Sequence, residues 1–251
     1  MAKSIAQIKQ EFEETALSGL PQLFLQYEDD GRAGVAALIR RYQKRLEAEH
    51  REDLRLEEML CYEREYPQTQ YICGIDEAGR GPLAGPVVAG AVILPKECKI
   101  RYLNDSKQLS AKRREELYEE IMEQAVAVGV GIVSWTRIDE INILQATYEA
   151  MRMAIADLGV LPQVLLNDAV RIPGVDILQR PIVHGDAKSL SIAAASVIAK
   201  VTRDRLMEEY DKAMPEYGFA GHKGYGSAAH IQAIRTYGPS PIHRRSFIKN
   251  I

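Results

Sequence analysis

The chain has 251 residues, of which 46% are apolar, and a formal net charge of −3. That length accommodates one large domain, or one domain with an appendage, and the composition suits a globular protein with a sizeable core. Cys61, Cys73 and Cys98 lack CxxC spacing, which excludes a disulfide framework and a zinc knuckle. No apolar run approaches a membrane span or a leader, so a cytoplasmic protein with no membrane role is expected.

Residues 1 to about 66 read as helical. Ile5, Ile8 and Phe12 fall at i, i+3, i+7, and Val35, Leu38, Ile39, Tyr42 and Leu46 mark one face of a second helix. Ser18–Pro21 and Asp29–Gly34 are the breaks, and Pro67 separates this region from the first strand. From Tyr71 the pattern alternates. Tyr71–Asp76 and Val87–Leu94 are predicted strands of an antiparallel hairpin, joined by a Gly/Pro-rich turn. Ala111–Gln124 is a predicted helix begun by Ser110, Val126–Trp135 a third strand, and Ile138–Leu158 a helix stopped by Gly159 and Pro162. Gln163–Asn167 and Pro181–His184 are two short strands. Ser189–Met214 is a helix with a small face, Ala193, Ala194, Ala195, Ser196 and Ala199, suited to close packing on a sheet. The order β-β-α-β-α-β-β-α implies an α/β fold with a mixed five-stranded sheet flanked by helices.

Charge is distributed unevenly. Residues 1–70 carry 10 Lys/Arg against 14 Asp/Glu, whereas Tyr217–Ile251 contains no acid but has Lys223, Arg235, Arg244, Arg245 and Lys249. A local basic surface of this kind can bind phosphates under a negative total.

The chemistry is concentrated in a few places. Asp76 and Glu77 end the first strand, Asp168 follows Gln163–Asn167, and Asp186 lies between the last strand and the small-faced helix. Acids at strand ends can converge on one edge of a sheet, where α/β folds place ligands. Such a cluster would repel itself unless divalent cations neutralised it, and two metals there could cleave a phosphodiester. Each acid also has a plainer reading: a strand-terminal Asp serves turns, and Asp186 could cap the helix that begins near Ser189. Adjacent strand residues point to opposite faces, so Asp76 and Glu77 share a site only if the strand ends or twists there. Gly79 and Gly81 permit close backbone approach to a ligand, and Arg80 suits a phosphate. The glycines do not form a dinucleotide loop, because Pro86 and a Val-rich strand come next instead of a helix, and no Walker Gly-Lys-Ser/Thr is present.

The segment Gly74-Ile-Asp-Glu-Ala-Gly-Arg-Gly-Pro-Leu-Ala-Gly-Pro86 closely resembles the opening motif of ribonuclease HII, a type 2 RNase H family. Asn104–Ser110, Val183–Asp186, Ser191–Asp204, His222–Gly226 and His243–Phe247 match further family segments in order, so the resemblance covers about residues 71–247. Arg80 favours HII, since the HIII type usually has threonine there. The resemblance implies an RNase H-like fold with a catalytic core (71–215) and a C-terminal basic helical substrate-binding segment (216–251), preceded by the N-terminal helical extension (1–70) that the apolar spacing predicts. It implies an endoribonuclease that cuts RNA in RNA–DNA hybrids and incises 5′ to single ribonucleotides in duplex DNA, leaving 5′-phosphate and 3′-hydroxyl ends.

By similarity Asp76, Glu77, Asp168 and Asp186 hold two Mn2+ or Mg2+ ions, with Asp76 bridging them, Asp186 beside the water-activating ion, and Glu77 and Asp168 nearer the leaving-group ion. Gly79-Arg80-Gly81 matches the loop that reads the ribose 2′-hydroxyl, a donor and acceptor that marks RNA against DNA. Tyr225 matches a tyrosine that stacks on the sugar of the following deoxynucleotide. Lys107, His222 and Lys223 are candidate phosphate contacts. Asn167 departs from the apolar residue usual before the third acid, and in a regular strand it faces away from Asp168. Residues 1–70 lie outside the resemblance. Their acidity favours a structural or partner-docking role, and a monomer is expected.

Overall fold

The computed structural model describes residues 3–251, and the chain divides into two compact units, Met1–Glu57 and Glu58–Ile251. The first is helical: α1 (Ile5–Glu14), α2 (Leu20–Gln26) and most of α3 (Ala33–Met59). Ser4 begins α1 with a capping box, accepting from the Gln7 amide while the Gln7 side chain accepts from the Ser4 amide. Ile8, Phe12, Leu20, Leu23, Tyr27, Val35 and Tyr42 form its core; the apolar spacing predicts Ile8, Phe12, Val35 and Tyr42 among them, whereas Ile5 is exposed.

The second unit carries, in order, α4 (Cys61–Arg64), β1 (Ile72–Ala78), β2 (Val87–Ile93), α5 (Ala111–Gln124), β3 (Ala127–Val133), α6 (Trp135–Ile141), α7 (Ile143–Asp157), β4 (Val164–Asp168), β5 (Leu178–Ile182), α8 (Leu190–Ala213), α9 (Phe219–His222) and α10 (Ala228–Tyr237). The strands form one mixed sheet in the order β3-β2-β1-β4-β5. β1 pairs antiparallel with β2 and parallel with β4, which is itself parallel to β5. The expected α/β architecture and the β1–β2 hairpin are present.

Glycines set how close the helices lie. A Cβ on Gly74 would stand 2.1 Å from the Ser191 carbonyl carbon, and one on Gly90 2.5 Å from the Ala195 oxygen, so α8 rests directly on the backbone of β1 and β2. On the other face Gly129 and Gly131 receive α7, where Cβ atoms would meet Ala154 O at 2.1 Å and Ala150 O at 1.9 Å. The alanine face of α8 and the small residues of α7 are what allow this approach. Residues Leu190–Ala199 of α8 are all buried, which makes it the central helix.

Two expectations differ from the structure. The single helix predicted over Ile138–Leu158 is two, α6 and α7, because Asn142 takes a positive φ of 69° and its Oδ1 accepts from the amides of Leu144 and Gln145. Asparagine tolerates that backbone and caps a new helix. The last strand is Leu178–Ile182, not Pro181–His184. It is an edge strand, where Pro181 needs no pairing amide. Buried Gln179 is satisfied by Ile172, Val175 and Asn167.

Candidate active site

β1 delivers the first two acids to the end of the sheet. Ile75 pairs with Asn167 across parallel β1 and β4, so Asp76 and Asp168 follow side by side on neighbouring strands. Asp76 shares the α8 face with Gly74 and is buried, at 4% exposure. By strand alternation Glu77 belongs to the opposite face. β1 nevertheless runs on through Ala78 before Gly79, at φ 95°, turns the chain. At this extremity the two faces meet: Asp76 feels the charges of Glu77, Asp168 and Asp186, and Glu77 that of Asp168.

The fourth acid arrives on a short turn. His184 takes a left-handed backbone, and Gly185–Ala187 forms a single 3-10 turn that presents Asp186. The Gly185 amide donates to Asp168 Oδ1 at 2.8 Å, and a Cβ at 185 would stand 2.6 Å from Ile192 Cδ1. Glu63 on α4 fixes the start of α8 just beyond: its Oε1 accepts from the Ser189 hydroxyl, the Ser191 amide and the Ser191 hydroxyl.

Electrostatics follows from this packing. Burial, then the charges of Glu77 and Asp168, raise Asp76 well above the ordinary carboxylate range. Glu77 is raised by burial against the pull of Arg80, whose Nη1 lies 3.3 Å from Glu77 Oε1. Asp186 is raised by burial and then by Asp105, a fifth acid. Lys107 lies opposite, its Nζ 3.6 Å from Asp186 Oδ2. Burial opposes the Lys107 charge, yet Asp105, Asp76, Asp186 and Asp168 outweigh it and raise its pKa. The Asp105–Lys107 turn is docked on α8 through Ser106, whose amide and hydroxyl both bond Ser196 Oγ.

Among the described residues no three His, Cys, Asp or Glu side chains are spaced as a ready-made metal cage. The donor chemistry still fits a hard divalent ion: carboxylate oxygens, mutually repelling and burdened by burial, with two peripheral cations to balance them.

The glycine turn lies directly beyond the acids. A Cβ on Gly81 would stand 3.7 Å from Tyr225 Cε1, so the half-exposed Tyr225 ring flanks the Gly79-Arg80-Gly81 segment. Arg80 is exposed. His222 and Lys223 are engaged internally. The His222 ring bonds the Tyr217 carbonyl and accepts from the Gly224 amide, and Lys223 Nζ is held by Glu208 at 2.6 Å and the Ala220 carbonyl.

A family model described as Ribonuclease HII matches residues 73–250, and one described as Ribonuclease HII N-terminal domain matches residues 4–67. The chain belongs to the ribonuclease HII family. A ribonuclease HII of Lachnoclostridium phytofermentans is 61% identical over 98% of this chain and 97% of its own, and one of Clostridioides difficile is 51% identical over 99% and 98%. The crystal structure of a ribonuclease H2 from Pyrococcus horikoshii superposes with a TM-score of 0.58 at 29% identity, over 70% of this chain and 93% of that one.

As a ribonuclease HII family member, the protein is a metal-dependent ribonuclease H acting on RNA–DNA hybrids. Its extension is part of the family pattern as well, which the resemblance over residues 71–247 did not include. No helix among the described residues is long and apolar enough to cross a membrane. Sequence reasoning missed Asp105, although the Asn104–Ser110 motif contained it. It also missed Arg203 and Arg244, which are completely buried behind the glycine turn. Each lies in a quoted motif, but an arginine in a sequence gives no sign of burial.

Proposed function

We propose that this ribonuclease HII family member is an endonuclease that both hydrolyses the RNA strand of hybrids and incises 5′ to single ribonucleotides embedded in duplex DNA. One observation carries this reading: the Tyr225 ring stands against Gly81, on a turn that follows directly from Asp76 and Glu77. Sugar recognition and cleavage are thereby adjacent.

Asp76, Glu77, Asp168 and Asp186 would hold two Mn2+ or Mg2+ ions, which when bound supply Lewis acidity toward the attacking water and the leaving 3′ oxygen. The backbone of Gly79, Arg80 and Gly81 reads the 2′-hydroxyl of the ribose. Tyr225 stacks on the next sugar, where a second hydroxyl would crowd the ring, and this favours a ribo-to-deoxy junction. Arg80 and Lys107 contact phosphates on either side of the acids. Lys223 would do so only by releasing Glu208, and His222 supports the turn more directly than it meets the substrate.

The reading divides the chain into an extension (1–70), a catalytic core (71–215) and a basic substrate-binding segment (216–251), working as a monomer in the cytoplasm, with the extension a candidate docking site for a protein partner. The test is cleavage of a duplex bearing one ribonucleotide, with EDTA and with Mn2+, mapped to nucleotide resolution. Incision on the 5′ side, lost in EDTA, supports the reading. Products from long hybrids only, or cuts on the 3′ side, would overturn it.

A further inference from the structure

The Gly79–Pro86 turn should be a soft part of the molecule. It is glycine-rich and lies outside the sheet ladder, and although Leu83 O accepts the Arg244 amide, the carbonyls of Gly79, Arg80, Ala84, Gly85 and Pro86 are met by side chains. Unpaired backbone carbonyls of this kind normally turn to water. Here they turn inward, onto two arginines.

Arg203, on α8, and Arg244, in the C-terminal segment, are 1% and 0% exposed. Arg244 donates from Nε to Gly85 O, from Nη1 to Arg80 O, and from Nη2 to Gly79 O and Pro86 O. Arg203 donates from Nε to Pro86 O, from Nη2 to Ala84 O, and from Nη1 to Lys223 O. These seven bonds reach six carbonyls, five of them in the turn and the sixth two residues before Tyr225. Arg203 also fills the space behind the first glycine, where a Gly79 Cβ would stand 2.1 Å from Arg203 Nε. Desolvating two like charges is costly, on the order of several kcal/mol per ion, unless their donors are satisfied. That cost is accepted here for one turn.

A second path joins the same two loops. The Leu83 amide donates to Gly224 O, and the Arg244 amide to Leu83 O. Behind them His243 and His230 meet Nε2 to Nε2 at 2.9 Å. The Ser240 amide donates to His243 Nδ1, which makes that nitrogen an acceptor and leaves the proton on Nε2. His230 Nε2 must then accept, and its Nδ1–H donates to the Tyr225 carbonyl at 2.9 Å. The tyrosine's own carbonyl is thus held by His230.

We propose that Arg203 and Arg244 are positioning residues for substrate discrimination, clamping the Gly79–Pro86 turn to the Lys223–Tyr225 turn so that 2′-hydroxyl reading and sugar stacking occur at one set spacing. The inference rests on the roles given above to the glycine turn and Tyr225. Neither arginine touches substrate. Their bonds end on the two recognition loops and on no strand of the sheet, so loosening them separates recognition from the acids' own placement. A misplacement of about 1 Å can cost on the order of 100-fold in rate.

The experiment uses the full chain with Arg203→Lys and Arg244→Lys, which keep the charge but not the planar fork. kcat/KM is measured in Mn2+ on a duplex with one ribonucleotide and on a continuous RNA–DNA hybrid, and the ratio of the two is the readout. Each variant is expected to lower that ratio by roughly tenfold, with the Mn2+ dependence of hybrid cleavage unchanged. Arg203→Lys combined with Tyr225→Ala is expected to lower it no further than Tyr225→Ala alone, since both act on one spacing. Equal losses on both substrates, or ratio losses that multiply in the double variant, would overturn the clamp. If one lysine variant does not fold the other carries the test, and if neither folds His230→Phe, which removes the donor to the Tyr225 carbonyl on the second path, must lower the ratio, an unchanged value overturning the set spacing. If Tyr225→Ala itself leaves the ratio at the wild-type value, the underlying reading of Tyr225 fails first, and the clamp with it.

Discussion

The amide of Gly185 donates to the carboxylate of Asp168 at 2.8 Å, which ties the turn carrying Asp186 to the strand carrying Asp168. Sequence distance between the third and fourth acids is thereby converted into one rigid corner. Asp76 and Glu77 reach the same end of the sheet along β1, where Asp76 feels the charges of the other three acids.

Asp76→Asn should therefore separate stability from activity. Replacing the buried carboxylate by a neutral amide removes the repulsion from Glu77, Asp168 and Asp186. In EDTA the variant is expected to melt several degrees above wild type, a gain on the order of 1 kcal/mol, while hybrid cleavage falls by several orders of magnitude. Calorimetry beside a cleavage assay checks both, and a variant that is active or less stable in EDTA would contradict this account.

The metal-free protein should weaken as pH rises out of the acid range. Asp76, Glu77 and Asp186 are all raised in the folded state, so the native chain holds protons that the unfolded chain has released. Stability therefore falls with rising pH above about 4. Saturating Mn2+ should flatten that slope, and urea unfolding at pH 5 and pH 7, with and without the ion, measures it.

His243 acts in the opposite sense. Burial and the neighbouring His230 push it down to about 4, with Arg245 and His222 adding to the effect. Its neutral form is the native one, so its contribution is complete above pH 6.5 and lost as pH falls toward 4. Between pH 7 and pH 5 wild type should lose about 2 kcal/mol relative to His243→Gln, read as the difference between their urea curves.

Arg80 is exposed beyond its pairing with Glu77, and a phosphate contact is the role proposed for it. Arg80→Ala should reduce the salt dependence of hybrid binding by about one unit of log–log slope, with the largest loss of affinity at low salt. Binding titrations in EDTA from 50 to 200 mM salt test this, and an unchanged slope would remove Arg80 from the phosphate contacts.

Much of the fold was legible because burial leaves a mark on apolar spacing. The β1 and β2 runs, the alanine face of α8 and the helical spacing around Phe12 all announce what they pack against. The acids were legible near strand ends, although only Asp168 closes its strand, β1 running on to Ala78 and Asp186 sitting on a short turn. β5 was not, since Gln179 and Arg180 interrupt its apolar pattern and Gln179 tolerates burial only through partners at Asn167, Ile172 and Val175. Asn142 resembled an ordinary helix residue until its backbone turned left-handed. Arg203 and Arg244 were least visible, because a charge is read as surface and the carbonyls that satisfy them lie far away in sequence.

Because those two guanidiniums grip main-chain oxygens alone, the turn's shape is insulated from the identity of its own side chains. Leu83 or Arg80 could drift over generations without loosening the grip, whereas an exchange at Arg244 would be felt at four carbonyls of the turn and one at Arg203 at two of them and at Lys223. The contour of the turn is in this sense written in distant parts of the chain, and Gly79 is held to glycine by the arginine packed behind it.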